Sequence, residues 1–530
     1  MLAVAVCLQA QSLHDLQKYD RAPSSYEADK PFSYRLEYSS VNAMHSHPAL
    51  TGLTVDSTRR FSSVIEAIYA DHHNHGDYLH YLGNHITDMG ILAGGEMNIK
   101  NIGTLYGHAY YGRETLRGMY QNYAVRPDDY APYFVSDSLD IGNITNEHYL
   151  IEGGLSMSHK NWRYGVSFFY EGINGAKTTQ VRREVYSYWF RLAFSAAYLM
   201  PKWVLSAKVW PEINKQSISA SSSVKTFRCM QFYGFGQWNR KESLTAYGYS
   251  RDNKILGAGA ELLLTSAPSP AQKWNFTASV AYNYRSLQTE ESSFKNLYHA
   301  STHHLNHFLI LSGQLRHNLS LYLELTGEGS MRSGSENVYE RQRQDQEQSL
   351  YDYVKVGTNN LYTLSEFHET FLAKGIWNTT SVHSFNLFTG VGTYWRKERY
   401  QMPQISVENR VFTPQAGIGY TLNTSKSLLD LEISSGYRMG TYNKLIAPSL
   451  SPTQFEIAQT YIPYRLRGES RWELHTTLSY MHRLPHGSIG SRINAEFGHR
   501  TSAPALPILI PGDLNKHYTR NINIGVFYIF

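Results

Sequence analysis

A chain of 530 residues could hold several ordinary domains or one large sheet structure, and its aromatic content of 14%, with 41 Tyr, is high. The mean hydropathy of −0.42 and the lack of any run of about 18 consecutive apolar residues exclude a helical membrane protein. The net charge of +5 is spread without basic blocks, so we expect no nucleic-acid partner. With only Cys7 and Cys229 present, we expect no disulfide framework and no cysteine-based metal site.

The first residues are typical of an export signal. Residues 1–11, MLAVAVCLQAQ, combine an apolar run with a small residue, Ala10, near the expected cleavage point, and we interpret them as the remnant of a signal peptide. The basic start of such a peptide is missing, which predicts a truncated beginning. The residues before Cys7 fit a lipoprotein signal poorly, so a cleaved leader is favoured over lipidation.

Residues 12–60 are polar, contain three prolines and show no long periodic pattern. They predict an amino-terminal segment that precedes the main domain, which we place at residues 61–530.

From Phe61 onward one pattern repeats: two alternating runs of about a dozen residues joined by a tight polar turn, followed by a longer polar loop. In residues 274–285, Trp274, Phe276 and Tyr282 share one face, and Asn283 and Arg285 share the other. A period of two with one apolar face predicts a strand. The predicted long loops include residues 71–87, 217–251, 330–361, 396–404 and 440–470. The count is about eighteen strands, an even number that places both ends of the domain on one side; sixteen stays open because strand boundaries shift by a few residues.

The last stretch, residues 518–530, alternates in the same way through Ile522, Ile524, Val526 and Tyr528 and ends on Phe530. This terminal strand, the Tyr-rich runs and the short–long rhythm resemble bacterial outer-membrane β-barrels of the Bacteroidota type, whose function is unassigned. The resemblance implies an all-β fold: a transmembrane antiparallel β-barrel in the cell outer membrane, in contact with outer-membrane lipid, with short periplasmic turns and long extracellular loops. It also implies that Tyr528 and Phe530 form the signal read by the barrel-insertion machinery.

Closure of such a sheet has a physical reason. An unpaired backbone N–H or C=O costs several kcal/mol in a bilayer, so the last strand is expected to pair with the first, near residues 61–69. A secreted propeller or sandwich is the less favoured alternative, because its strands would be shorter and more evenly spaced.

In a barrel, residues 12–60 would lie in the periplasm or insert into the lumen. Within them, residues 45–53, HSHPALTGL, resemble the Asn-Pro-Ala-Gly-Leu hatch segment of fatty-acid-transporter-type barrels, with His47 in the place of the Asn. An ordinary extended lead-in segment is the favoured interpretation.

The inward-facing positions of the predicted strands carry charges of both signs. A polar lining of a wet lumen is favoured over a dedicated selectivity filter, and the mixed signs argue against strong ion selectivity. The predicted lumen-lining residues are Glu152, Arg163, Glu171, Glu261, Arg285, Glu432, Arg438, Glu473, Arg483 and Arg492.

The first predicted loop contains four His and two Asp within residues 71–80. Imidazole and carboxylate groups at short spacing are ligands for zinc, copper or nickel, and exposed His can bind haem iron. The candidate metal ligands are His72, His73, His75, Asp77 and His80. A solvated loop is the favoured interpretation, and we predict no cofactor.

A passive or ligand-specific channel is the favoured function, and it predicts an open lumen and single-channel conductance. One alternative is an anchor or accessory subunit whose loops bind a TonB-dependent receptor, a surface lipoprotein, a metal or haem. Another is a hydrolase or protease with its site at the rim, but the Gly-x-Ser-x-Gly, His-Glu-x-x-His and Gly-Lys-Ser/Thr motifs are absent, so we do not expect an enzyme. Active import by this chain alone is not expected, since a plug domain of about 150 residues would be required.

Overall fold

The computed structural model describes residues 47–51 and 61–530, apart from residues 101, 121, 138–140, 178–180, 223–227, 237, 244–247, 268–272, 292–293, 344–350, 448–450 and 507–516. The predicted signal peptide and most of residues 12–60 lie outside this range.

Eighteen antiparallel strands form one sheet that closes on itself, which confirms the predicted barrel and the favoured strand count. The barrel strands are β1 (Phe61–Gly76), β2 (His85–Ile99), β3 (Gly103–Tyr120), β5 (Ile141–His159), β6 (Trp162–Lys177), β7 (Arg182–Leu199), β8 (Trp203–Ser221), β11 (Tyr249–Ser266), β12 (Trp274–Glu291), β13 (Phe294–Arg316), β14 (Leu319–Arg343), β15 (Tyr351–Asn378), β16 (His383–Tyr400), β17 (Ile405–Asn423), β18 (Ser427–Ile446), β19 (Ser470–Leu484), β20 (Gly487–Ser502) and β21 (His517–Ile529).

The remaining described elements are not part of the wall. They are a small sheet of β4 (Val135–Asp137), β9 (Arg228–Tyr233) and β10 (Trp238–Ser243), the 3₁₀ turns Pro48–Leu50 and Pro127–Asp129, and a helical stretch made of Gln454–Glu456, the π-helical Ile457–Tyr461 and Ile462–Gly468. Within the described part of the chain, no helix has the length and apolar character needed to cross a membrane.

The seam of the barrel lies between the first and last strands. β1 pairs with β21 from Val64 opposite Ile529 to Gly76 opposite His517, and the Phe530 nitrogen donates to the Ser63 carbonyl at 2.9 Å. β1 also pairs with β2, so each barrel strand has two neighbours. The closed ladder satisfies the backbone groups that an open edge would leave unpaired.

Alternate residues of each strand face opposite sides of the wall, as predicted. On β6, Trp162, Tyr164 and Phe168 are exposed, whereas Phe169 and Glu171 are buried. The outer face is therefore apolar and aromatic, and the inner face carries the buried polar groups.

Short turns such as residues 160–161 and 485–486 lie at the end of the barrel that also holds the start of β1 and the end of β21; we call it the turn end. The longer connections lie at the loop end. Several predicted loops are shorter than expected: β1 continues to Gly76, β14 to Arg343, and β15 begins at Tyr351. At the loop end these strands continue beyond the apolar part of the wall. Their residues there are polar, so the sequence pattern predicted loops instead of strands.

Connections fold inward at the loop end. Tyr123, Val125 and Val135 from the connection after β3 and Cys229 from β9 form one buried cluster with inward-facing wall residues such as Ile218. At the turn end, Ala49 and Leu50 pack in a second cluster with residues of β7, β8 and β11. The described residues therefore occupy the lumen at both ends, in contrast to an open lumen.

Candidate functional site: the lumen cavity and the segments around it

Residues 47–51, which we call the seated segment, lie inside the barrel near the turn end. Pro48–Leu50 form a single 3₁₀ turn, closed by the Leu50 nitrogen donating to the His47 carbonyl at 2.8 Å. Proline at the first position fixes the backbone angle that such a turn needs. All five residues are buried, with Ala49 and Leu50 at 0% exposure.

Serine side chains of the wall hold the backbone of the seated segment. The Ala49 nitrogen donates to Ser195 Oγ at 2.7 Å, and Ser156 Oγ donates to the Ala49 carbonyl at 3.0 Å. His47 Nδ1 lies 2.8 Å from Ser206 Oγ. The two contacts of Ala49 satisfy backbone groups that would be costly to leave unpaired away from water, and the third holds the His47 side chain.

A buried charge cluster fixes the His47 side chain. His47 Nε2 lies 3.2 Å from Glu261 Oε1, and Lys208 Nζ lies 2.5 Å from Glu261 Oε2. Ser279 Oγ also donates to Glu261, at 2.7 Å. Burial lowers the pKa of His47, and the hydrogen bond with Glu261 opposes that shift only in part. A neutral imidazole therefore links the segment to the wall.

At the loop end, Arg500 joins two connections. Its Nη1 lies 2.7 Å from Asp77 Oδ2, in the connection after β1, and its Nη2 lies 2.6 Å from Glu469 Oε2, at the end of the connection before β19. Glu469 also contacts Arg471 at 3.2 Å and His517 at 3.0 Å. All five side chains are almost fully buried. Charge pairing on this scale is what makes such burial tolerable.

The connection after β3 is held by arginines that reach from the wall and from the connection itself. Arg332 Nη1 donates to the Asp128 carbonyl at 2.7 Å and to the Ala131 carbonyl at 3.2 Å. Arg126, in the connection, forms an ion pair with Glu171 of β6 at 2.5 Å.

Between these inward-folded connections and the wall lies a cavity of about 180 Å³. Asp128 and Arg467 line it from the connections, and Glu366, Arg396 and Arg438 line it from the strands. Arg396 contacts Glu366 at 3.0 Å and Glu398 at 3.1 Å, and Arg467 reaches the same Glu398 at 3.2 Å. The lining thus presents both guanidinium donors and carboxylate acceptors to whatever occupies the cavity.

The predicted lumen residues occupy inward-facing positions of their strands but do not form one site. Their described partners include Glu66 for Arg492, at 3.0 Å, and Lys374 for Glu432, at 2.7 Å. Of the ten, Arg438 alone is among the residues lining the cavity. The others are Glu152, Arg163, Glu171, Glu261, Arg285, Glu432, Glu473, Arg483 and Arg492, distributed around the wall and along its height.

Several cavity residues were missed by the sequence analysis. Arg332 and Arg467 fell within stretches predicted as loops, and Arg396 began another. The alternation of β16 through Arg396 and Glu398 is the signal that could have extended the strand.

The predicted metal ligands do not converge. His72, His73 and His75 lie on a strand, not in a loop, so alternation turns His72 inward and the other two outward. Asp77 is held by Arg500, and His80 is partly buried in the connection that follows. Among the described residues, no group of three or more His, Cys, Asp or Glu is placed to hold a metal ion.

The predicted insertion signal lies at the seam. Tyr528 and Phe530 contact each other edge to face, with ring centroids 4.7 Å apart, and Tyr528 donates to the His486 carbonyl at 3.1 Å. Phe530 is half exposed at the turn end.

Comparison with known proteins gives a family and a fold. Residues 51–530 match the family of unknown function DUF6850. No curated protein matches the chain. Among solved structures, the chain is similar to the FrpB iron transporter from Neisseria meningitidis, with 12% identity, a TM-score of 0.40 and coverage of 91% of this chain and 82% of that one. It is also similar to a Pseudomonas aeruginosa FadL homologue, with 10% identity, a TM-score of 0.33 and coverage of 92% and 93%.

Proposed function

The chain belongs to the family of unknown function DUF6850, and from this premise we propose that it is an outer-membrane β-barrel that passes a small polar ligand through a lumen gated at both ends. The proposal combines the closed wall, the apolar outer face and the polar inner face. A barrel of this kind is stable only where lipid covers its outer face, which supports a membrane location.

One observation carries the transport proposal: the cavity is lined by connections and by strands together. Asp128 and Arg467 belong to connections, whereas Arg396 and Arg438 belong to strands. A displacement of the connections would therefore open the cavity toward the loop end without breaking the barrel ladder. Loop movements of this kind are common gates.

The lining favours a ligand that carries both hydrogen-bond donors and acceptors. The guanidinium groups of Arg396 and Arg467 line the cavity together with carboxylates such as Glu366, which pairs with Arg396 at 3.0 Å. A volume of about 180 Å³ suits a molecule of amino-acid size. We therefore propose a small zwitterionic or polyhydroxylated ligand, and not a simple inorganic ion.

Single-channel recording in planar bilayers tests gating. The wild-type protein should be closed for most of the record, and the double variant Gly165→Leu with Arg332→Met, which loosens both ends, should show frequent open steps. Gly357→Leu with Arg410→Gln is the matched control, because a Cβ at position 357 meets no atom within 4 Å and Arg410 faces outward. A steadily conducting wild-type barrel, or a folded double variant that never opens, would contradict the proposal.

A second candidate function, the binding of a partner protein, is supported by a separate feature of strands β14 and β15. β13 stops pairing with β14 at Glu336, and β16 stops pairing with β15 at Tyr362, so the described remainder of β14 and β15 forms a two-stranded ribbon that projects past its neighbours. Val354 and Val356 on it are 40% and 54% exposed. Exposed strand edges readily pair with a strand of another chain.

Shortening the ribbon separates the two functions. If the ribbon docks a surface lipoprotein or receptor, replacing residues 337–360 by an Asn-Gly turn should abolish co-purification of that partner from native membranes while single-channel behaviour is unchanged. Unchanged co-purification would remove this candidate.

A further inference from the structure

The outer face of the barrel carries a groove of about 620 Å³ near the loop end, across β18, β19, β20, β21 and β1. It lies on the opposite side of the wall from the lumen. Trp472 and Leu474 are 54% and 43% exposed there, whereas the intervening Glu473 is buried on the inner face. His73 and His75, from the His-rich stretch of β1, line this groove on the outer face.

The sheet register places the groove residues in two parallel rows. The upper row, nearer the loop end, consists of Trp472, His499, Tyr518 and His75 on consecutive strands. The lower row consists of Leu474, Phe497, Arg520 and His73. Aromatic and basic side chains are therefore neighbours by ladder geometry, and the Tyr518 ring lies 4.8 Å from the His499 ring and 6.3 Å from the His75 ring.

The groove stands at the border of the apolar band. Four residues further toward the turn end, the corresponding outward row is Leu478, Ile493, Ile524 and Tyr69, whose exposures run from 37% to 39%. The row between this set and the groove consists of Thr476, Ala495, Ile522 and Asp71, and its one charged side chain, Asp71, is paired with Arg520. In a bilayer the apolar row meets acyl chains, and the groove above it meets the headgroup layer.

Arg520 is held in place and still presents donors. Its Nη2 donates to Asp71 Oδ1 at 2.8 Å, which uses one of five guanidinium N–H groups, and half of its side chain is exposed. His85 Nε2 lies 2.9 Å from the other oxygen of Asp71 and so fixes the carboxylate. His73 packs edge to face on His85 with the ring centroids 5.3 Å apart.

We propose that this groove binds a membrane lipid whose headgroup ends in an anionic phosphomonoester. The phosphate oxygens accept from the guanidinium of Arg520 and from imidazole N–H groups of His73, His75 and His499. The first acyl carbons lie on Trp472, Leu474 and Phe497, and the chains continue down the apolar row. Arginine and imidazole donors match phosphate oxygens, and indole and phenol rings are typical of the membrane interface.

A lipid fits the groove better than a soluble anion does, because the basic groups form only one side of it. The other side is apolar and continuous with the lipid-facing band. The lipid-binding proposal rests on the proposed location of the barrel in a bilayer, but it does not require the barrel to conduct. A negative result for lipid binding would therefore not affect the outcome of the gating experiment.

Native mass spectrometry of the detergent-purified full-length chain tests the proposal. The protein is titrated with phosphatidic acid and with phosphatidylcholine of identical chains, and inorganic phosphate is a third arm. The wild type should retain phosphatidic acid about tenfold more strongly than phosphatidylcholine. In the Arg520→Gln variant this preference for phosphatidic acid should be lost. Arg410→Gln is the matched control: Arg410 is 56% exposed and contacts Glu408 at 3.0 Å, much as Arg520 contacts Asp71, but it stands on β17.

Three outcomes would overturn the proposal: equal retention of both lipids, unchanged retention by Arg520→Gln, or full competition by inorganic phosphate, which would indicate a plain anion site. If Arg520→Gln fails to fold, judged by the mobility shift between boiled and unboiled gel samples, His499→Gln tests the same headgroup contact from β20.

Discussion

Gly165 of β6 lies directly against Ala49 of the seated segment. A Cβ atom at position 165 would stand 2.2 Å from the Ala49 nitrogen and 2.2 Å from the Pro48 carbonyl carbon. Those atoms are backbone and have no rotamer that could move aside. Any side chain at this position therefore competes with the segment for the same volume, and glycine is what allows the segment to sit flush with the wall.

Gly165→Leu should unseat residues 47–51 and leave the barrel folded, since position 165 faces the lumen and the ladder of β6 does not depend on it. A cysteine at position 51, in a background without Cys7 and Cys229, reports the change, because Thr51 is 2% exposed in the seated state. Its modification by a bulky maleimide should be at least about tenfold faster in the Gly165→Leu variant, which corresponds to about 1.4 kcal/mol of lost docking free energy.

Gly357→Leu is the control for that experiment, since the added side chain projects into open space. Equal labelling rates in the two variants would mean that the segment does not depend on the close approach at Gly165.

Glu261→Gln should destabilise the barrel, because the substitution leaves the Lys208 ammonium buried beside a neutral amide. The two side chains are 9% and 13% exposed, and their contact is 2.5 Å. Removing one partner of a buried pair typically costs about 3 kcal/mol. The midpoint of urea unfolding in lipid vesicles should fall accordingly. The double variant Glu261→Gln with Lys208→Met should recover most of the loss; if it does not, the pair is not the origin of the effect.

The wall was predictable from the sequence because a closed sheet with an apolar outer face imposes a strict alternation on its strands. Alternation along residues 274–285 and 518–530 reports directly which side chains face outward, and the pairing of β21 with β1 follows from the cost of an open edge. The same rule fails beyond the apolar band. Residues such as Tyr353 and Lys355 belong to a ladder outside that band, so the chain shows no apolar period there and the extension of β15 was missed.

The cavity could not be predicted, because it is made by contacts between distant parts of the chain. Arg332 meets carbonyl groups of residues about two hundred positions away, and Arg500 meets Asp77 across the seam. The alternation of residues along its strand predicted that Arg438 faces the lumen. No local sequence pattern indicates which connection folds over it. The metal-site prediction for the His-rich stretch was based on closeness in sequence. Because these residues lie on β1, adjacent side chains face opposite sides of the wall and do not meet.

The loop-end network should be sensitive to acid through Glu469. Burial raises the pKa of this carboxyl, but the charges of His517, Arg471 and Arg500 outweigh it and hold the pKa well below its ordinary value. A depressed folded-state pKa contributes stability above the unfolded value of about 4.3, and this contribution is lost as the pH falls further. Protease protection of the connections at residues 77–84 and 454–469 should therefore decrease below about pH 4.

Glu469→Gln should remove that acid dependence and lower protection at neutral pH, since Arg500 would lose a buried carboxylate partner. Glu432→Gln is a suitable comparison, because Glu432 pairs with Lys374 on the wall and contacts neither connection. An unchanged pH profile in the Glu469 variant would assign the acid response to other groups.

Arg332→Met should loosen the connection after β3 without breaking the wall. The guanidinium donates to the carbonyls of Asp128 and Ala131, so its removal leaves two backbone acceptors without those donors, while the methionine retains the aliphatic contact. Hydrogen exchange at residues 122–136 should accelerate about tenfold, and exchange in β14 should stay slow because its ladder to β13 and β15 is intact. Arg492→Gln removes an inward arginine that pairs with Glu66 and contacts no connection, so it should leave residues 122–136 protected. Equal acceleration in both variants would mean that the connection responds to general loss of lumen charge, and the gate would then have to be sought at Arg500 and Glu469.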